Sequence, residues 1–176
     1  MKRLLRLLAL VVVTGAAWVA WQAFAPPPAP PPHAAAVDRI DRILIEKSAR
    51  RLTASRGGET VLKFPIALGF APSGDKEQEG DGKTPEGLFR IDRRNPNSAY
   101  HLSLGIDYPK PEDRARAEAA GLSPGGDIFI HGQPNSVGNL ITLPGDWTAG
   151  CIAVSNEQMQ TLWRLAEIGT VVEIRP

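Results

Sequence analysis

The sequence predicts a mainly β domain with a few helices, set behind an N-terminal apolar helix. Three observations predict it. Short segments rich in Ile, Val, Thr and aromatic residues recur between turns containing Gly and Pro. Only two later stretches carry the end signals of helices. One long apolar run stands at the start of the chain and ends at a proline-rich break.

The apolar run comes first. Lys2, Arg3 and Arg6 cluster at its beginning, and no charged residue occurs from Leu7 to Ala25. As a helix, the run over residues 4–25 would be about 33 Å long, close to the thickness of a hydrocarbon core. Trp18 and Trp21 lie toward its far end, where indoles favour the membrane interface. The basic cluster places the start of the chain in the cytoplasm and the remainder outside. Ala23-Phe24-Ala25 also has the small-x-small form of a signal-peptidase site. Pro26 directly after it opposes cleavage, so an uncleaved anchor over residues 4–25 is the stronger of the two readings. The sequence thus places the domain in the periplasm or cell envelope, held at the inner membrane. Residues 26–36, "PPPAPPPHAAA", have proline at six of the first seven positions and read as an extended, semi-rigid spacer that includes His33.

The folded domain is expected over residues 37–176. Removing residues 1–25 takes away three basic groups and no acid, which leaves the exported part near neutral. No basic patch interleaved with aromatics occurs, so nucleic acid is not an expected partner. A single cysteine, Cys151, cannot form an internal disulfide, and a lone thiol in an oxidising compartment raises the question of reactivity.

The elements follow in order. "RILIEKS" and "RRLTAS" are β segments, "RGGE" is a turn, and "TVLKFPIALG" continues an antiparallel meander. Residues 71–87, with four glycines, two prolines and many charges, form a loop. "LFRIDRR" and "YHLSLGIDYP" return as strands. Pro111 to Ala120 is a helix, with Pro111, Glu112 and Asp113 suited to its first turn and Gly121 to its stop. "DIFIHG" and "GCIAVS" are buried strands. "NEQMQTLWRLAEIG" is a helix capped by Ser155 and Asn156, with Met159, Leu162, Trp163 and Leu165 on its apolar side. "TVVEIRP" closes the domain as a strand.

A thiol needs a base or a positive field to become a nucleophile near neutral pH. Outside the spacer the imidazoles are His101 and His131. His131 ends the apolar run "DIFI" and is followed by Gly132, which lets backbone or substrate approach closely. Twenty residues separate His131 from Cys151, enough for a loop to fold back and set the two side by side. A zinc site lacks its ligand spacing, and a serine hydrolase lacks its G-x-S-x-G elbow. On the residues alone, a packed cysteine and a reactive one both remain open. A reactive Cys151 is expected to have a depressed pKa. Thr84-Pro85-Glu86-Gly87 reads as a turn before a strand.

"IFIHG", then a loop, then "WTAGCIAVSN", resembles the L,D-transpeptidase catalytic domain of bacterial cell-wall enzymes, the YkuD type. "DGKTPEGLFRI" and "EKSARRLTAS" are similar to further segments of that family, so the resemblance spans about residues 42–176. It implies a β-sandwich and an enzyme that needs no metal or organic cofactor. It also implies that Cys151 is the nucleophile and His131 its base, acting on peptidoglycan stem peptides. In that scheme the thiolate attacks the carbonyl at the L-centre of meso-diaminopimelate, terminal D-alanine leaves, and an amine resolves the thioester. That amine belongs to another stem peptide or to an envelope protein that becomes covalently attached. Gly150 and Cys151 N–H groups are then expected as oxyanion donors, and Gly132 as the carbonyl that orients His131.

Two positions depart from the commonest pattern. Ala149 stands where many members have His, and Ala153 where many have Arg. A branch with the wording "D-W-T-x-G-C-I-A-V" and "YHLSLGI-x-YP" is similar to this chain, and some of its members resemble hydrolases. In that setting His101, Asp146, Trp147 and Thr148 are candidates for the substrate pocket. Gln133 to Gly145 is a candidate lid. Three functions stay open: a transpeptidase, a thiol hydrolase of the same fold acting as an L,D-carboxypeptidase or as an amidase that frees bound protein, and a non-catalytic peptidoglycan-binding module.

Overall fold

A computed structural model describes residues 39–138 and 141–176. The expected anchor over residues 1–25 and the spacer over 26–36 lie outside the described residues. Among the described residues, no helix is long and apolar enough to cross a membrane.

Eight strands make one sheet: β1 (Arg42–Glu46), β2 (Arg51–Arg56), β3 (Glu59–Pro65), β4 (Gly87–Asn95), β5 (Ser103–Ile106), β6 (Phe129–His131), β7 (Ile152–Ala153) and β8 (Val171–Arg175). Their order across the sheet is β3-β2-β1-β8-β4-β5-β6-β7. The first three form the expected antiparallel meander, while β8 returns parallel to β1. Strict alternation drives this half. Ile43 and Ile45 on β1, Leu52 and Ala54 on β2, and Val172 and Ile174 on β8 turn inward, and their neighbours face out.

The expected β-sandwich is realised as a single curled sheet. Strand β4 is the reason: its first half, Gly87–Arg90, pairs with β8, and its second half pairs with β5. A register shift between Ile91 and Arg93 bends it where the two halves meet. The sheet then nearly closes on itself. Residues 66–70, which follow β3 at one edge, pair with the other edge: Ala67 and Ala153 exchange N–H···O bonds at 2.9 and 2.8 Å, and Thr148 N–H donates to Leu68 O at 3.1 Å.

Two helices accompany the sheet, α1 (Pro111–Ala119) and α2 (Asn156–Leu165). Of the two expected caps of α2, Ser155 takes the role and Asn156 does not. Ser155 Oγ accepts from Gln158 N at 3.2 Å and Gln158 Oε1 accepts from Ser155 N at 3.0 Å, a reciprocal capping box. Asn156 is used differently. Its Oδ1 accepts from Gln133 N at 2.7 Å, tying the helix start to the segment after β6. Met159 and Leu162 are fully buried beneath α2, which lies against β5 and β6. The expected strand "YHLSLGIDYP" shrinks to Ser103–Ile106, every residue of which is buried. Tyr100 and His101 instead form a turn. His101 takes a φ of 66°, and its N–H donates to Asn135 Oδ1 at 2.8 Å.

Two buried lysines fasten the loop over residues 71–87. Lys47 Nζ donates to Gly74 O, Thr84 O and Glu86 Oε1 at 2.5, 2.9 and 2.8 Å. Lys76 Nζ donates to Gln78 O at 3.0 Å and to Asp81 Oδ1 at 2.8 Å. Burial raises the Asp81 pKa, but Lys76 and the backbone N–H groups of Gln78, Lys83 and Glu77 outweigh it and hold the carboxyl at about 2. Thr84–Glu86, expected as part of a turn, is an irregular stretch that leads directly into β4, and Thr84 Oγ1 accepts from Gly69 N at 3.2 Å.

Candidate active site

Strands β6 and β7 are parallel, with Ile130 opposite Ile152 and His131 opposite Ala153. Side chains alternate along a strand, so Phe129 and His131 share one face with Cys151 and Ala153. Cys151, one residue before β7, therefore falls beside Phe129 and diagonally across from His131. Both His131 and Cys151 line one cavity of about 470 Å³.

The imidazole is buried and fixed. His131 Nδ1 lies 2.7 Å from Gly132 O. A carbonyl oxygen only accepts, so Nδ1 carries the proton and Nε2 presents the basic lone pair. This is the orienting contact expected of Gly132. Gly132 must also be glycine for space, because a Cβ there would stand 2.5 Å from Asn156 Oδ1. Tyr100 lies against the ring at a centroid distance of 4.6 Å, and Trp147 meets it edge-on at 5.7 Å. Burial pushes the His131 pKa below its ordinary 6.5, with the Gly132 bond opposing, so the ring is neutral at pH 7.

The thiol rests in a different state from the one expected. Cys151 Sγ donates to Asp127 O at 3.5 Å. Burial pushes its pKa above the ordinary 9.0, and a backbone hydrogen bond with Phe129 pulls less strongly the other way. The expected depressed pKa is thus corrected: a neutral thiol and a neutral imidazole share the cavity.

The turn before Cys151 is held tightly. Thr148 Oγ1 donates to Cys151 O at 2.7 Å and accepts from Gly150 N at 3.1 Å. Gly150 adopts a φ of 135°, and a Cβ there would lie 2.8 Å from Lys83 O. Of the two expected oxyanion donors, Gly150 N–H is therefore already engaged by the Thr148 hydroxyl. The Cys151 N–H has no protein partner among the described residues.

The other expected residues divide. Trp147, Thr148 and Ala149 line the cavity with Cys151. Trp147 Nε1 is buried without a hydrogen-bond partner among the described residues. His101 does not line the cavity; its Nε2 lies 3.1 Å from Gln160 Nε2 on α2. Asp146 is used as a pin: its oxygens accept from Arg50 Nε and Nη2 and from Leu68 N at 2.7–3.1 Å. It lines a second cavity of about 420 Å³ with Arg50, Thr142, Leu143 and Ala153. Arg50, ion-paired with Asp146, is the cation among those lining residues. The expected lid borders this second cavity, with Gln133 Oε1 accepting from Leu143 N at 2.8 Å; its residues 139 and 140 lie outside the described residues.

Among the cavity residues outside the sequence expectation are Tyr100, Ser103 and Asp127. Ser103 is the register partner of His131 across β5 and β6. A polar residue within a fully buried strand was its one sequence signal. The signal for Asp127 was an acid placed between Gly125-Gly126 and an apolar strand.

A thiol and an oriented imidazole on neighbouring strands of a curled sheet define a cysteine–histidine domain. Residues 40–174 match the family model described as YkuD, the L,D-transpeptidase catalytic domain, and the chain belongs to that family. The Escherichia coli K12 protein YafK is 28% identical over 93 residues, which is 52% of this chain and 31% of YafK. The helical cell shape determining protein Pgp2 from Campylobacter jejuni superposes with a TM-score of 0.59 at 27% identity, covering 78% of this chain and 48% of Pgp2. Bd1075 from Bdellovibrio bacteriovorus gives 0.55 at 25% identity, over 78% of this chain and 48% of that one. The chain therefore spans about a third of YafK and about half of either structural relative.

Proposed function

We propose that this protein is a peptidoglycan L,D-transpeptidase that works through an acyl-enzyme on Cys151. The observation that carries the reading is the shared cavity: a neutral imidazole whose free Nε2 is defined by the Gly132 carbonyl opens onto the same space as the only thiol. A neutral base can take the thiol proton as the substrate carbonyl arrives, without a preformed ion pair.

The steps then balance. Nε2 of His131 accepts the Sγ proton, and sulfur bonds to the carbonyl carbon at the L-centre of diaminopimelate. The C–N bond to D-alanine breaks, and the imidazolium returns its proton to the leaving amine. In this reading the N–H of Cys151 donates to the developing oxyanion. An acceptor amine, from a second stem peptide or from an envelope protein, attacks the thioester and gives its proton to His131. The product is a new amide and a free thiol. In this reading the run over residues 4–25 holds the domain at the outer face of the inner membrane.

The second reading is a thiol hydrolase, in which water takes the place of the amine. It rests on the resemblance of "DWTAGCIAV" and "YHLSLGIDYP" to a branch of the family of which some members resemble hydrolases. Incubating the purified chain with tetrapeptide muropeptides separates the two readings. Mass spectrometry shows cross-linked dimers for a transpeptidase and only trimmed monomers for a hydrolase. An unmodified Cys151 and unchanged muropeptides would leave the binding-module reading standing.

A further inference from the structure

The curled sheet has an outer face that is left to solvent. On β1, β2, β8 and the first half of β4 alternate side chains are buried inward, and those between them point out. Register carries this face across five strands, β3-β2-β1-β8-β4, about 19 Å at the usual strand spacing. One row across it runs Lys63-Thr53-Leu44-Glu173-Leu88. The rows on either side add Arg42 and Arg90, and Arg51, Glu46 and Arg175.

The charge on this face is uneven with the rest of the domain. Lys63 and the four arginines stand against two acids, a net charge of +3. Residues 37–176 hold 17 basic and 19 acidic groups, a net −2, so everything off the face carries −5. Both acids on the face are already engaged. Glu173 accepts from Arg175 Nε at 2.6 Å and from Arg42, and Glu46 accepts from Arg51 through both oxygens at 2.8 Å. Lys63 has no side-chain partner among the described residues, and Arg90 donates to a backbone oxygen, Gly169 O, at 2.9 Å. At the margins Arg39 pairs with Glu167, and Arg56 lies opposite Glu59. Asp41 adds one acid there, its Oδ2 accepting from Gly57 N. The cations are also interleaved with aliphatic groups. Leu88 is 61% exposed, and Leu44 and Val171 are half-buried. Cations around exposed aliphatic side chains suit the headgroup region of a bilayer, where phosphates meet the charge and the apolar groups leave water. A second copy of this face is repelled by the same charge.

We propose that this face docks on an anionic phospholipid surface and fixes the orientation of the domain upon it. The −5 carried elsewhere is repelled by that surface, so one orientation is favoured. The choice of lipid as the occupant rests on the anchor reading above: the spacer over residues 26–36 is at most about 34 Å long when extended, which keeps the domain within reach of the bilayer. The cavity around Cys151 is lined from Asn95 onward, beyond the bend in β4, so docking uses none of its residues.

The test uses the full-length chain on vesicles of phosphatidylcholine and on vesicles of equal parts phosphatidylcholine and phosphatidylglycerol. Acetylation of Lys63 by an amine reagent is followed by mass spectrometry, with Lys83, which lies off the face, as the internal reference. On the anionic vesicles Lys63 should react about fivefold more slowly relative to Lys83, the worth of one cation at such a surface. Added salt should remove the difference in the wild type. Arg90→Glu combined with Arg175→Gln brings the face to zero charge and should cut the shielding to about twofold or less. Both arginines are exposed and Glu173 keeps Arg42, so the thermal midpoint should hold. Equal Lys63 labelling on both vesicles, equal shielding of Lys83, or shielding that survives salt or the double variant would overturn the proposal. Shielding by isolated peptidoglycan sacculi but not by anionic vesicles would overturn it in favour of a cell-wall polymer. If the chain does not float with phosphatidylcholine vesicles, the anchor reading falls. Flotation with the anionic vesicles alone then supports the face, and flotation with neither overturns it as well.

Discussion

Replacing His131 with alanine should lower kcat/KM on a tetrapeptide donor by about 10²–10⁴-fold, the usual worth of a positioned general base. Cys151→Ala should remove the acyl adduct and turnover altogether. Neither change should alter the strand register, because both side chains face the cavity. The pH dependence follows from burial. The pKa of His131 lies below 6.5, so its neutral, basic form persists at pH 7 and the acid limb of kcat/KM should fall below pH 6.5. The Cys151 pKa lies above 9.0, so alkylation of the free enzyme by iodoacetamide should be slow at pH 7, climb with pH and show no plateau by pH 9.0. A rate plateau at neutral pH would instead reveal a resting thiolate and refute the neutral pair.

Lys47→Met should destabilise the domain by about 3–5 kcal/mol, the range for breaking a buried charge pair from one side. Its ammonium serves three oxygens, and its side chain is only 4% exposed. Removing it strands Glu86 and two carbonyls. The thermal midpoint should drop by about 10 °C or more for a domain of this size. Activity should fall as well. The loop that Lys47 fastens presses on the nucleophile turn, where Lys83 O leaves no room for a Cβ at Gly150, and on the segment paired with that turn, where Gly82 O leaves none at Gly69. Loosening that loop frees the turn that aims Cys151. A midpoint within a degree or two of the wild type would show that Lys47 is not a fastening point. Unchanged acylation in a clearly destabilised variant would show that the loop does not govern the thiol.

The residues of the nucleophile turn show how far local sequence carries. Thr148-Ala149-Gly150 before Cys151 was legible as a turn, and Gly150 does take the left-handed conformation. Which N–H groups the turn leaves free was not legible. Thr148 Oγ1 takes the Gly150 N–H, a competition between a side chain and a ligand that only the folded chain reveals. Asn156 is a similar case. Asn and Ser are equally good caps by type, and the choice fell to Ser155 because the segment after His131 claims the Asn156 side chain.

By itself the sequence determined the element types, the pairing of His131-Gly132 with Gly150-Cys151, and the family. Each is written within a few adjacent residues as alternation, turn chemistry or motif. The tertiary structure decided what surrounds that pair. It turned the expected sandwich into one curled sheet bent at β4, sent His101 to Gln160 and Asp146 to Arg50, and brought Ser103 and Asp127 into the cavity. The physical reason is register. A cavity is lined by residues that strand pairing brings together across long stretches of chain, and that pairing is fixed by the packing of the whole sheet.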